Sequence, residues 1–316
     1  MAQPTTGMVH TDQPLTNIST MYLQSQEDFI AGKVFPSVDV SKQSDKYYKF
    51  DKASFFRDQM RKRGAGEESA GSGYTLSSDT YYCDLWALHK DIDFITRANE
   101  DSPLNSDRNA VQFLTQAALI RKEVQWATDY FTTSVWATDN TTAVDWDDYA
   151  NSDPLGDVDT AKITIRQSTG QAANTLVLGH QVFDKLKRHP DIVDLIKYTS
   201  SRVVTEEILA ALFGVKQVLV AKAIVDSVSE GKTSAPAFIH GKHALLCHVA
   251  AAPGVEVPSA GYTMNWTGLS GVAGTQVAID KFYIPERKCD RIEAHTAFDM
   301  KVVGSDLGYF FSGIVS

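Results

Sequence analysis

Eight histidines and three cysteines are the residues of this 316-residue chain best suited to metal binding or nucleophilic chemistry. His240, His243 and His248 are the densest group, and a metal ion held by imidazoles is the chemistry such a group suggests. Their spacing works against it. In strand numbering His240 and His248 share one parity and His243 takes the other, so only the turn at Gly241-Lys242 would bring rings together. The competing reading is ordinary strand and turn histidines. A metal-dependent enzyme built on His240, His243 and His248 stands as the alternative from a different class. His89 beside Asp91 pairs a base with a carboxylate, but at the end of a strand it reads as a salt bridge. Cys247 and His248 are adjacent, which on a strand points them to opposite faces, a poor geometry for a thiolate–imidazole pair. Cys83, Cys247 and Cys289 are far apart and show no metal-ligand spacing. A sparse, odd count fits a reducing compartment better than a disulfide scaffold. No GxSxG, HExxH, P-loop or GxGxxG motif occurs. The reading is therefore of a non-enzyme, with no catalytic residue, cofactor site or metal ligand assigned.

The elements that would have to position such residues are themselves more informative. Lys42 to Asp91 reads as a long two-armed β excursion with a charged, glycine-rich tip. Lys46-Tyr47-Tyr48-Lys49-Phe50 forms one arm. Tyr74 to His89 forms the other, with Tyr81, Cys83, Leu85 and Ala87 on one face and Tyr82, Asp84, Trp86 and Leu88 on the other. The tip, Arg57 to Gly73, carries Arg57, Arg61, Lys62 and Arg63, then Glu67 and Glu68. Gly64-Ala65-Gly66 and Gly71-Ser72-Gly73 are not followed by a helix start, so they suit a flexible tip rather than a phosphate cradle. A two-stranded hairpin is marginal alone in water, and this tip has little apolar content to bury. The arm needs a surface to lie on, and a second copy of the chain is a candidate. The tip's basic cluster is read as pairing with protein carboxylates in preference to phosphate.

Composition is ordinary for a globular protein, at 43% hydrophobic and 22% charged. A net charge of −9 argues against a protein that wraps nucleic acid by neutralising phosphates. The first residues show neither the basic n-region nor the apolar h-region of a signal peptide, and no apolar run reaches the ~20 residues of a membrane span. A soluble protein made in a cytoplasm is expected. The first ~44 residues read as an extended arm, apolar only at positions such as Leu15, Ile18, Met21, Tyr22, Phe29, Val34 and Phe35. A short helix is expected near Gln24 to Ala31 and an edge strand at Phe35 to Val40, with Pro36 at its start.

Asp107 to Phe131 is the clearest helix, capped by Asp107 or Ser106. Ala110, Phe113, Ala117, Ile120, Val124, Ala127 and Phe131 fall on its apolar face, and it would span about 37 Å. Further helices are expected at Asp157 to Thr169, around Val182 to Leu186, at Asp191 to Tyr198 and at Thr205 to Phe213. Strands are expected at Thr175 to Gly179, Gln217 to Ala221, Gln276 to Ile284 and Asp290 to Val303. Two more strands should flank Gly241-Lys242.

Four stretches carry a family resemblance over nearly the whole length: VFPSVDVSKQSDKYYKFDKASFFRD from Val34, ESAGSGYTLSSDTYYCDLWALHKDI from Glu68, NTLVLGHQVFDKLKRHPDIVDLIKYT from Asn174 and AFDMKVVGSDLGYFFSGIV from Ala297. The chain resembles the major capsid proteins of tailed bacteriophages with the HK97-like fold. The resemblance implies an α+β fold with an N-terminal arm at 1–44 and an extended hairpin, the E-loop, at 45–86. A peripheral domain at 87–170 would hold the long helix, an axial domain would span 171–277, and the last strands, 278–316, would return to the peripheral domain. It implies hexamers and pentamers closing an icosahedral shell around double-stranded DNA held by non-specific proximity. Itself, a scaffolding protein, a portal and a decoration protein would be the partners, with no membrane and no cofactor. The virion would be its location. A gene-transfer-agent or encapsulin-type nanocompartment shell is a close variant. Some relatives cross-link neighbouring subunits; this sequence offers no way to choose such a pair. The residues expected at contacts between copies are Arg57, Arg61, Lys62, Arg63, Glu67 and Glu68 on the E-loop, and Phe29, Val34 and Phe35 on the arm.

Overall fold

The structure is a computed structural model that describes residues 23–100, 105–140, 144–197, 203–229, 231–254, 257–268 and 277–316. Leu15, Ile18, Met21 and Tyr22 of the expected arm lie outside the described residues. Two five-stranded sheets organise the rest.

The first sheet is built around one long strand, β13 (Cys289–Val302). One edge of β13 pairs with β12 (Ala278–Ile284) along its first half and with β11 (Gly261–Trp266) along its second. The other edge pairs with β4 (Asp84–Asp93). Beyond β11 lies β1 (Ser37–Val40), parallel to it and at the sheet edge, where Pro36 removes no ladder donor. The long helix, α4 (Ser106–Tyr130), crosses this sheet. Ala110 and Leu114 pack there against Ile92, Ile292 and Ala294.

The second sheet has the order β5 (Thr138–Asn140), β14 (Gly308–Phe311), β10 (Ala244–Cys247), β6 (Thr175–Gly179), β7 (Gln217–Ala221). Its central strands are buried on both faces, which is why they read as unbroken apolar runs. Leu176, Leu178, Leu246 and Phe311 face α5 (Pro154–Thr169), α6 (His180–Leu186), α7 (Pro190–Ile196) and α8 (Glu206–Leu212). Val177, Leu245 and Phe310 face the other way. There they meet Trp126 and Phe131 from the end of α4, and Phe298 and Met300 from the first sheet.

Several expectations change. α4 is capped by Asn105, whose side chain accepts from the Arg108 N–H at 2.8 Å; Asp107 sits in the first turn instead. The buried face of α4 is Ala110, Leu114, Lys122, Glu123 and Trp126, and Phe113 is 55% exposed. The stripe drifts because the helix bears on the first sheet with one half and on the arm and second sheet with the other. Gly261–Trp266, expected in the axial domain, pairs into the first sheet, and Gly308–Phe311, expected in the peripheral domain, pairs into the second. Pro236–Phe238 does not pair with β10 across the Gly-Lys turn. It pairs as β9 with β8 (Ile224–Asp226).

The arm is the largest correction. A single 3-10 turn at Gln26–Asp28 and α1 (Ala31–Val34) replace the expected helix. Val34 and Phe35 are fully buried and Phe29 nearly so, in the chain's own core, so none of the three has surface to offer a neighbour. Phe35 lies between the rings of Trp126, Tyr130 and Trp136, with centroids 5.0 to 6.4 Å away. A Cβ at Gly261 would sit 2.5 Å from that ring, so the strand must be glycine there. Phe35→Ala is expected to cost about 3–5 kcal/mol in urea unfolding, the range for emptying a packed aromatic site. A loss below 1 kcal/mol would mean the arm is not part of the core.

Candidate intersubunit surface

The hairpin is built from β2 (Ser44–Phe50) and β3 (Leu76–Tyr82), in register from Ser44↔Tyr82 to Phe50↔Leu76. Its second arm is not continuous. The chain leaves the hairpin at buried Cys83, whose N–H donates to the Gln43 carbonyl, and continues as β4 in the first sheet. Tyr81 and Cys83 pack with Tyr47 against Tyr262 and Met264, so the root is anchored. The Tyr82 N–H donates to the Asp299 carboxylate at 2.9 Å. Beyond the root the hairpin buries almost nothing. Tyr47 and Lys49 both donate to Asp79 across the strands.

A short helix absent from the sequence reading, α2 (Lys52–Phe56), turns the first arm toward the tip, with Asp51 accepting from the Ala53 N–H and the Ser54 hydroxyl. It gathers Phe50, Phe55 and Tyr74 into one ring cluster, with centroids 5.8 to 6.0 Å apart. All three are exposed, as are Tyr48, Phe56, Leu76 and Tyr82, and Met60 is 94% exposed. This apolar surface is not among the contacts expected from the tip's charges, although KFDKASFF shows three phenylalanines in eight residues. Lys52 forms an ion pair with Asp306 of the same chain.

The expected tip residues Arg57, Arg61, Lys62, Arg63, Glu67 and Glu68 are all exposed. Two of them shape the tip itself. Arg63 Nε donates to the Glu67 carbonyl, and the Glu67 carboxylate accepts from the Gly64 N–H at 3.1 Å. Arg57, Arg61, Lys62 and Glu68 make no ion pair among the described residues.

The three clustered histidines do not converge. His240 is buried between Trp126 and Phe131, 3.2 Å from the Glu123 carboxylate. His243 Nδ1 accepts from the Gly313 N–H at 2.9 Å, and burial lowers its pKa. His248 Nδ1 lies 2.7 Å from the Ala172 carbonyl. Among the described residues no group of His, Cys, Asp or Glu is arranged to hold a metal ion.

One arrangement that sequence spacing could not reveal resembles a nucleophile–base pair. Ser152 Oγ lies 3.0 Å from His189 Nε2, and His189 Nδ1 lies 3.7 Å from the Asp191 carboxylate. The bonding opposes catalysis. Nδ1 accepts from the Asp191 N–H, so Nε2 carries the proton and donates to Ser152, while the Ser152 hydroxyl donates to the Asp148 carbonyl at 2.8 Å. A general base needs that Nε2 lone pair free. The group is a buried clasp at the start of α7.

Charged pairs tie the first sheet together. Asp91 and Arg291 are cross-strand partners joined by two bonds of 2.7 and 2.8 Å, which hold the Asp91 carboxyl down at about 2. Arg97, Asp107, Lys281 and Asp290 form a ring of alternating charge linking α3 (Phe94–Ala98), α4, β12 and β13. Burial pushes the thiols of Cys83 and Cys247 up to about 11 and about 12, which leaves both as unreactive neutral side chains. Burial also lowers the Lys122 amine to about 8, against the opposing pull of Glu123.

Two stacked sheets, an arm, a long helix and a projecting hairpin make up an HK97-like shell fold. No protein-family model matches the chain. It is 28% identical over 311 residues to the major capsid protein of Burkholderia phage BcepMu, covering 96% of each chain. It is 26% identical to that of Pseudomonas phage JBD67, covering 96% of this chain and 97% of the relative. Among solved structures, a phage-related protein from Bordetella bronchiseptica superposes with a TM-score of 0.68 at 22% identity, over 92% of this chain and 94% of that one. The capsid of cyanophage P-SCSP1u gives 0.61 at 10% identity, over 95% and 91%. The SrpI encapsulin of Synechococcus elongatus gives 0.55 at 10% identity, over 100% and 97%.

 The chain is a capsid shell protein of the tailed-phage kind, and its role is structural.

Lys122 supplies a pH test of this packing. In the unfolded chain its amine titrates near 10.5 and in the folded chain near 8. Below pH 8 both states are protonated and the cost of burying the charge is full. Between pH 8 and 10.5 the folded amine is neutral while the unfolded one still binds a proton, so this cost fades as pH rises. The stability of Lys122→Met minus that of the wild type is expected to fall by about 2 kcal/mol from pH 7 to pH 10. Reading the difference cancels Cys83 and Cys247, which titrate in the unfolded state of both proteins. Urea midpoints at each pH measure it, and a difference that stays constant would contradict the buried, depressed amine.

Proposed function

We propose that copies of this chain form hexamers and pentamers that close an icosahedral shell around double-stranded DNA, with the hairpin of each copy lying on the next. The observation that carries this is the exposed apolar surface of the hairpin. Eight large side chains, Tyr48, Phe50, Phe55, Phe56, Met60, Tyr74, Leu76 and Tyr82, are exposed on it. At full-burial areas of 150–250 Å² for an aromatic side chain they present on the order of 900 Å². A standard interface buries about 800 Å² on each partner. The tip charges of Arg57, Arg61 and Lys62 would then set register and partner choice.

In this reading the residues around 1–44 are the arm, 45–86 the E-loop, 87–170 the peripheral domain and 171–277 the axial domain, with 278–316 returning to the periphery. In this reading β11 would belong with the peripheral sheet and β14 with the axial one, as their pairing suggests. A scaffolding protein, a portal and a decoration protein would be further partners. The protein would be made in the host cytoplasm and carry out no catalysis. The acidic balance of −9 suits a wall that does not grip the packaged DNA. A nanocompartment shell would use the same fold; the two phage relatives favour the phage capsid.

Two variant sets separate the roles. Phe55→Ser with Tyr74→Ser is expected to abolish particles in negative-stain microscopy and leave the far-ultraviolet circular dichroism unchanged. Reversing Arg61, Lys62 and Arg63 to Glu is expected to impair assembly less completely, again with the fold intact. Normal shells from the first variant would refute the docking role of the ring cluster, and normal shells from the second would refute the pairing role of the tip.

A further inference from the structure

Two residues of α2, one turn apart, touch the body of their own subunit. Lys52 and Phe56 stand at i and i+4, so they share one face of that helix. Lys52 pairs with Asp306 in the 3-10 turn Ser305–Leu307. The Phe56 ring reaches Gly170, the residue that ends α5, where its nearest carbon is 3.7 Å from the position a Cβ would take. α5 packs against that same turn, so the two contacts land on elements that are themselves packed together. Phe55 points elsewhere, into the cluster with Phe50 and Tyr74. The hairpin is therefore held at two levels. Its root is buried, while the α2 contacts are open to water: the Lys52 and Asp306 side chains are 50% and 35% exposed and Phe56 is 59% exposed. Contacts this exposed are weak, because solvent screens the ion pair and still wets the ring.

We infer that Lys52 and Phe56 form a self-latch: in the free subunit they rest the hairpin on its own body, and assembly exchanges that resting place for a neighbour. Phe56 is one of the eight large side chains assigned above to the contact between copies. Docking its ring fully on a neighbour takes it off Gly170, so the contact within the chain and the contact between chains compete. The latch biases where the hairpin points before assembly, yet one exposed ion pair and one half-seated ring are easily displaced by an interface of standard size. The competition rests on the shell reading; the resting contact itself does not.

Carbodiimide cross-linking tests the latch on the full, unassembled chain without scaffold. The reagent joins a lysine amine to a touching carboxylate as an amide. In an equal mixture of ordinary and heavy-nitrogen protein, mass spectrometry should find Lys52 linked to Asp306 in peptides of a single isotope. A missing link, or one of mixed isotope, would overturn the latch. Asp306→Asn removes the ion pair and leaves the hairpin surface untouched. Its Ser54 to Phe56 amides are expected to exchange with solvent about two- to five-fold faster than in the wild type, the range an exposed ion pair supplies, with Thr175–Gly179 unchanged. Equal exchange would overturn the latch as well. With scaffold present, Asp306→Asn should form particles at a lower protein concentration than the wild type; an equal or higher threshold would overturn the competition. If neither protein forms particles, the shell reading fails and the cross-link still decides the latch.

Discussion

The constraint on which the rest depends is the packing at the meeting point of the two sheets. Phe35 from the arm, Trp126 and Phe131 from α4, Phe298 and Met300 from the first sheet, and Val177, Leu245 and Phe310 from the second all share one core. Each element alone would expose these side chains, and together they bury all eight. The geometry is close enough to dictate backbone as well as side chains. Phe35 lies against Gly261, and the ring of Trp136 lies against Gly308, where a Cβ would come within 2.1 Å of it. One strand of each sheet is thus held by an aromatic ring from outside it.

That core explains why the hairpin can project. Its root is tied down by Tyr47, Tyr81 and Cys83 against Tyr262 and Met264, and its second arm continues directly into β4 and the long ladder with β13. A rigid base lets the outer part stay exposed without unfolding. In the proposed shell the outer part would be the interaction surface, supported by the stability of the base. Its preorganisation would reduce the entropy lost on docking.

Much of this was legible in the sequence, and the failures have physical causes. The helices ending at Gly170 and Gly214 were readable because both glycines sit at positive φ, the conformation that ends a helix most easily. The strands Thr175–Gly179 and Gln217–Ala221 were readable because doubly buried strands are apolar throughout. The face of α4 was misjudged at Phe113 because the helix serves two partners, and periodicity assumes one. The arm residues Phe29, Val34 and Phe35 were placed between copies because their burial depends on contacts some 90 to 230 residues away, which no local pattern displays. The burial of Glu123 was invisible for the same reason, since a glutamate in an amphipathic helix reads as solvated. On the hairpin, the tip's charges drew attention from the ring cluster, which exists only once α2 folds Phe55 back toward Phe50 and Tyr74.

The central claim is that this chain builds a shell in which the hairpin of one copy rests on the next. A cryo-electron microscopy reconstruction of particles formed with a scaffold tests it most directly. The account predicts closed, hollow particles with Phe50, Phe55 and Tyr74 buried against a neighbouring subunit. Closed particles in which those rings remain in solvent, or a chain that stays monomeric with the scaffold present, would contradict it.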